Sequence, residues 1–536
     1  MATALEARAL VAPAATVAAA TVAAASEDPY RNRYLIAIAV TLAAVLELID
    51  TSIVNVAIPH MMGTLGATLD EIAWVSTSYI IANVIVIPMS SWLSAFFGRQ
   101  RYLTGSILLF VVASFFCGAA TSLGGLVFWR VIQGLGGGAL LATAQTTLFE
   151  AFPVSERGIG QAIFGVGVMV GPTIGPTLGG YIVDAYAWPW IFYINVPLGI
   201  GAAYMVWRFV RNASHQVRAT TIDIWGIVLL AIAVGALQWM LERGERLDWF
   251  ESPFVLGLAV TSGVSAVLLV WRELSVEEPI IDLRILRSRQ LAPGVLFAAF
   301  LGIALYGSVF VLPVFLQSLH HYTAWQTGKV ILPGALASAF TMAIVGRTSS
   351  RFDARPAIVM GALLFMWSMW LLSRITLDAG QDELFWPLIL RGVGLGMIFV
   401  PLTNATVSGL PMHLLGQGTG LFNLMRQLGG SLGIAIMATM LSRLSSIEKS
   451  VLTDRVGATD GAALERLATL TRGMMARGMD PALAKQQALM VLDQQISAQA
   501  SVLAFSRLYL VSGLLLLSAL PLLLFWRGRR ANGGLD

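Results

Sequence analysis

Glu47 and Asp50 stand three residues apart inside the apolar run LELIDTSIVNVAIP, which starts at Leu46. On a helix that spacing puts both carboxylates on one face. An ionised acid in hydrocarbon is expensive, so acids placed this way line a cavity or a proton path. Burial disfavours the charged form, and a second carboxylate nearby disfavours it further. That is the chemistry of a proton carrier, with Asp50 as the main carrier and Glu47 assisting. The plain alternative is a packing acid held by hydrogen bonds to Thr51 or Asn55. Arg130, in another apolar run, is the natural counter-ion, or else a static arginine bonded to backbone carbonyls. Arg391 and Arg426 have no acid within their own runs. With Asn55, Asn404 and Asn423 they form a candidate substrate-binding set, against which stands a purely structural role. Trp74, Tyr79, Phe164 and Phe422 offer aromatic surface, or simply pack. Two acids and three arginines give a membrane-embedded balance of about +1, which favours hydrophobic neutral or weakly acidic compounds over dications.

The elements that must position these groups are membrane helices. Hydrophobic residues make up 57% of 536 and charged residues 12%, and mean hydropathy is +0.76. Runs of about 20 apolar residues, each able to cross a core of roughly 30 Å, recur along the chain. Fourteen lie near 34–58, 73–97, 102–120, 125–148, 159–182, 189–207, 223–241, 253–271, 292–316, 327–346, 356–373, 384–407, 416–441 and 502–525. The expected fold is therefore an all-α integral membrane protein. Alternate short loops carry nineteen Lys and Arg on one side and four on the other. By the positive-inside rule both termini face the cytoplasm. The net charge of +4 follows from that topology, and its dispersal over many loops argues against nucleic acid as a partner. The one cysteine, Cys117, excludes a disulfide framework or thiolate metal site. Residues 1–33 read as a cytoplasmic tail rather than a cleaved signal peptide, because Glu6 is acidic and Arg31 and Arg33 suit a cytoplasmic entry.

The fifth run reads GVMVGPTIGPTLGG from Gly167. Gly167, Gly171, Gly175 and Gly179 recur every fourth residue, with Pro172 and Pro176 between them and Gly180 following. On a helix these glycines make a groove without side chains, and membrane helices tolerate such Gly and Pro because neighbours satisfy the freed backbone groups. The expectation is a bending helix in the sliding contact between two halves. The chain repeats itself loosely. RVIQGLGGG at Arg130 is matched by RGVGLGM at Arg391, SSWLSAFFGRQR at Ser90 by GRTSSRFDAR at Gly346, and the fifth run by Gly429, Gly430 and Gly433. Repeated halves around a midmembrane site suit an alternating-access transporter. The organisation is six helices over 34–211, two inserted over 212–275 and six over 276–526, with a tail at 527–536. Spans seven and eight are expected to be peripheral and to lack midspan charges.

LELIDTSIVNVAIP, RVIQG, the Gly–Pro run, WPWIFYINVPLG (188–199), ALQWMLERGERLDWF (236–250) and MRQLGGSLG (425–433) resemble the major facilitator superfamily in its fourteen-helix drug:proton antiporter branch. The stretches are similar to those of EmrB-type inner-membrane efflux pumps. The resemblance runs from about residue 34 to 526. It implies the superfamily fold as six plus two plus six helices and proton-driven efflux of uncouplers, acidic antibiotics or fatty acids, with no cofactor beyond the proton motive force. It also implies that the fourth helix faces the first across the cavity, so that Arg130 assists proton transfer. The second-loop motif of the superfamily carries an aspartate where this chain has Ala95, so a charge-relay role is not carried over. Gly98, Arg99 and Arg101 remain as a loop anchor.

The connection 442–501 is long for a loop. Its second part reads as amphipathic helix broken near Gly478–Pro481. By resemblance it docks a periplasmic membrane-fusion adaptor leading to a TolC-like outer-membrane channel. The alternative is a self-packed cap. An exporter of a dedicated metabolite, fatty acid or siderophore, or a non-antiport transporter, remains the alternative function. An enzyme is disfavoured: the five histidines sit in loops or at span ends without HExxH or Ser-His-Asp groupings, and GLGGG at 134 follows no strand.

Overall fold

The computed structural model describes residue 30 and residues 32–211, 222–348, 353–456 and 461–526. The expected terminal tails lie outside these residues apart from Tyr30, Asn32 and Arg33. Among the described residues all regular structure is helical, and fourteen helices are long and apolar enough to cross a membrane. In chain order they are α1 (Arg33–Leu65), α2 (Trp74–Phe97), α3 (Arg99–Gly118), α4 (Leu123–Ala151), α5 (Arg157–Ala185), α6 (Asn195–Phe209, which crosses together with the short helix Trp190–Tyr193 before it), α7 (Ile224–Arg243), α8 (Pro253–Ser275), α9 (Leu291–Ser318), α10 (Ala324–Thr348), α11 (Ala354–Leu372), α12 (Gln381–Val407) and α13 (Leu415–Arg455). After the extramembrane helix α14 (Gly461–Met475), the fourteenth crossing is α15 (Pro481–Leu517). Starts and stops are local: Ser122 and Asp480 accept backbone N–H bonds at the heads of α4 and α15, and Gly66 ends α1 at φ 62°.

The two sets of six pack alike. α1 lies on α5 and α9 on α13; α2 lies on α4 and α10 on α12; α3 lies on α4 and α11 on α12. Glycines let the backbones approach in both halves. A Cβ at Gly167 would meet Thr41 and Val45, at Gly171 Leu48, at Gly175 Ser52, and at Gly179 Ile53. In the second half, Gly429, Gly430 and Gly433 press in the same way on Ala299, Tyr306 and Ile303 of α9. This corrects the expected place of the Gly–Pro ladder. Its four spaced glycines face α1 inside the first half, and only Gly180 of that set faces the second half, at Ala324. The contact between halves uses the opposite face of α5. There Gly158 and Ala162 meet Gly346, Gly165 meets Met342 and Phe399, and Thr177 meets Gly328 of α10. The reason is rotational: residues four apart share one stripe, and one stripe serves one partner. α5 runs unbroken through Pro172 and Pro176.

The inserted pair also departs from expectation. α8 packs on α7 and is largely exposed, as a peripheral helix should be. α7 instead touches both α2 and α13, so it spans the groove between the halves. It carries a buried Gln238, hydrogen-bonded to Glu242 at 3.1 Å. Asp223, just before α7, binds Arg272 of α8 at 2.9 Å. Partial burial works against its charge, but the bonds from Arg272 and the Gly226 N–H prevail and hold its carboxyl below the usual range.

The connection 442–501 is not a loop. α13 is 41 residues long and α15 is 37. At 1.5 Å per residue α13 reaches about 60 Å, roughly twice the hydrocarbon thickness. Both helices therefore leave the membrane on the side away from the start of α1 and run together. Lys449 pairs with Asp493 at 2.9 Å and Glu448 with Arg507. α14 leans on α15 without a buried residue of its own. The break expected near Gly478 is present, with φ 89° at that residue.

Candidate functional site

Asp50 of α1 and Arg130 of α4 are fully enclosed, at 0% and 1% exposure. Arg130 Nη1 donates to Asp50 Oδ2 at 2.6 Å. Gln133 Nε2 and Asn195 Nδ2 both donate to Asp50 Oδ1 at 2.9 Å. Arg130 also donates to the Val75 carbonyl at 2.9 Å and to Gln133 Oε1 at 2.7 Å, and lies 4.0 Å from the centre of the Tyr79 ring. Asn195 is held in turn by Ser114 at 3.1 Å. This is one network drawn from α1, α2, α3, α4 and α6, and every charge in it is compensated. Removing one partner from such a buried pair typically costs about 3–5 kcal/mol, because the other charge is left bare.

Glu47 belongs to a different environment. Its Oε1 accepts from Asn83 Nδ2 of α2 at 2.8 Å, and its Oε2 is buried without a hydrogen-bond partner. From the second half, α13 packs on α2, the helix whose Asn83 holds Glu47, and brings the buried charge of Arg426 to this side. Arg426 donates to Tyr306 Oη at 2.8 Å and to Asn423 Oδ1 at 3.2 Å, and its Nε has no partner. Asn423 Nδ2 donates to Gln145 Oε1 of α4 at 2.6 Å, and Gln145 Nε2 donates to Gln161 of α5 at 3.2 Å. Thr146 and Thr419 share a hydrogen bond of 2.5 Å. A buried polar seam thus crosses between the halves. It is latched toward the end where α1 starts.

A bundle of two matched helical sixes, joined by one polar seam, is a specific architecture. The family profile described as Major Facilitator Superfamily matches residues 40–434. The chain belongs to the major facilitator superfamily. Within that superfamily it is 34% identical over 506 residues to the multidrug export protein EmrB of Escherichia coli (strain K12), covering 93% of this chain and 96% of that one. It is 30% identical to the fatty acid resistance protein FarB of Neisseria gonorrhoeae, over 93% and 97% of the two chains. Two solved structures share the fold. The human organic anion transporter MFSD10 (TETRAN) superposes with a TM-score of 0.58 at 13% identity, over 90% of this chain and 99% of that one. The proton:xylose symporter XylE gives 0.56 at 12%, over 91% and 95%.

In this major facilitator frame the expected residues separate into groups. Asp50 meets Arg130, and Asn423 meets Arg426. Arg391 does not join the seam. It lies inside the second half, 3.5 Å from the Ser308 carbonyl of α9 and beside Tyr509, where Arg130 lies in the first half. Asn55 is exposed and accepts from Ser76 at 3.3 Å. Asn404 is half-buried on α12. Gly98 adopts φ 83° between α2 and α3, a conformation that favours glycine, and Arg99 pairs with Glu150 at the end of α4. Arg101 is exposed. Tyr79, Phe164 and Phe422 are buried in packing. Trp74 lines an open cleft of about 280 Å³ with Asp70, Glu71, Trp239, Arg243, Leu247 and Phe254, apart from the seam.

The sequence reading missed Gln133, Asn195, Asn83, Gln145 and Thr419. Gln133 had a signal, since it follows Arg130 by three residues and shares its face. Asn195 and Asn83 are single amides in apolar runs, a weaker signal of the same kind. Nothing in the sequence pairs Gln145 with Asn423, 278 residues away.

Proposed function

We propose that the chain is a proton-coupled multidrug exporter of the bacterial inner membrane, with both termini in the cytoplasm. It moves hydrophobic neutral or weakly acidic compounds outward by alternating access. The observation that carries this reading is the pair of buried carboxylates, Asp50 and Glu47, with Arg130 beside them and the seam between halves adjoining. Acids enclosed in a membrane core are a functional liability unless they bind protons, counter-ions or cargo. The printed names of the relatives, multidrug export and fatty acid resistance, support the direction and the hydrophobic cargo. One proton moved across about 150 mV releases about 3.5 kcal/mol at 2.3 kcal/mol per 100 mV. A tenfold gradient of a neutral solute requires about 1.4 kcal/mol, so one proton supports two decades of accumulation.

The paired extension of α13 and α15, with α14 along it, is the part we assign to an adaptor of the membrane-fusion type and, through it, to an outer-membrane channel. Exposed apolar residues on it, Ile447, Val451, Leu464, Leu483, Leu489 and Met490, suit such a contact. A second reading, export of a dedicated fatty acid, is favoured by the similarity to FarB. The deciding experiment uses the purified protein in proteoliposomes with an imposed pH gradient. Uphill cargo movement that collapses with the gradient is expected. Transport indifferent to the gradient refutes antiport.

A further inference from the structure

Asp50 and Glu47 share a face of α1, yet their surroundings differ in kind. Asp50 is surrounded by donors: one guanidinium and two amides point at it, and both its oxygens are taken. A proton placed there would break a direct ion pair, Arg130 Nη1 to Asp50 Oδ2 at 2.6 Å. Glu47 has one amide donor, a bare Oε2 and no direct ion pair among the described residues. The titratable groups that face it are Asp50 on its own helix, Tyr79 of α2 and Arg426 of α13. Asp50 and Tyr79 are already engaged with Arg130. Arg426 is the remaining charge, it lies in the other half, and its Nε is unpartnered.

We propose that Glu47, rather than Asp50, carries the proton that exchanges with cargo, and that Arg426 across the seam is its partner charge. The inference rests on the antiport reading above. With Glu47 protonated, Arg426 is an uncompensated charge in the seam, which repels a hydrophobic cargo. With Glu47 ionised, the two charges balance and the seam accepts an apolar molecule. Cargo binding therefore expels the proton from Glu47 Oε2 to water, and a proton arriving from the outer side expels cargo. The coupling is reciprocal by linkage. The Asp50–Arg130–Gln133–Asn195 network holds α1, α4 and α6 in register throughout.

The test uses the full chain, purified in detergent and weakly buffered with a pH indicator. The neutral dye N-phenyl-1-naphthylamine is added, and its binding is followed by fluorescence. Wild type should release protons on binding. Glu47→Gln should bind the dye with release lost. Asp50→Asn combined with Arg130→Gln, which leaves no bare charge, should still release protons. Release at the wild-type level by Glu47→Gln, or its loss in the folded double variant, overturns the assignment alone. Dye binding by wild type without release overturns antiport and the assignment with it. An infrared titration needs no dye and decides if the dye fails to bind. Glu47→Gln should remove its share of the titrating protonated-carboxyl absorption, leaving that of the buried Glu273 on α8; the Glu47 share should persist in the double variant and be displaced in Arg426→Gln. A band that survives Glu47→Gln unchanged refutes the proposal.

Discussion

Asp50 and Glu47, one turn apart on α1, share no hydrogen-bond partner among the described residues. Asp50 is bound by Arg130, Gln133 and Asn195, all within the first half. Glu47 is bound by Asn83 of α2, the helix on which α13 of the second half packs with its buried Arg426. A spacing of three leaves about 60° between side chains, enough to send one carboxylate into a six-helix bundle and the other toward its edge.

Asp50→Asn should lower stability, since it strands the buried Arg130 charge. The expected loss is about 3–5 kcal/mol. Adding Arg130→Gln should recover part of it. Thermal unfolding of the purified variants measures both, and a double variant no more stable than the single would contradict the pairing.

The α5 ladder should resist any side chain. Gly175→Val drives into Ser52 of α1, whereas Gly63 has open space around its missing Cβ. Overpacking of this kind costs about 1–3 kcal/mol. Gly175→Val should lower the melting temperature by several degrees and Gly63→Ala should not. Equal stability of the two would show that α1 and α5 are not in tight contact.

The Thr146–Thr419 latch should have to open during transport. Thr146→Cys with Thr419→Cys, in a Cys117→Ser background, places two thiols where the hydroxyls are 2.5 Å apart. Oxidation should stop cargo movement and reduction should restore it. Full activity in cross-linked protein would mean that the seam stays shut on this side while cargo passes.

The extension should be separable from the membrane core. Replacing residues 456–480 by a flexible linker removes α14, which contributes no buried residue. Expression and melting behaviour should hold while recovery of an adaptor in pull-downs fails. Retained adaptor binding would transfer the contact to α13 and α15 themselves.

The fourteen crossings and the two matched halves with an inserted pair were legible from residue order, and the Asp50–Arg130 pairing from the family resemblance that set the fourth helix against the first. Hydrophobic length, charge in short loops and repeated motifs are properties of the chain read along itself. The helical break at Gly478 was legible for the same local reason. The partner of each helix face was not. The Gly–Pro ladder looked fit for the contact between halves, but it lies on α1, and α5 meets α10 with its other face. Arg391 and Arg426 looked equivalent, yet one is sealed beside Ser308 and the other lies in the seam with Asn423 and Tyr306. Periodicity sorts residues onto faces, but the rotation of each helix is chosen by packing against neighbours that lie hundreds of residues away. In a membrane, where both lipid and protein neighbours are apolar, little in the local sequence distinguishes one face from the next. Only the assembled bundle decides which acid is locked by its surroundings and which is left with a free oxygen.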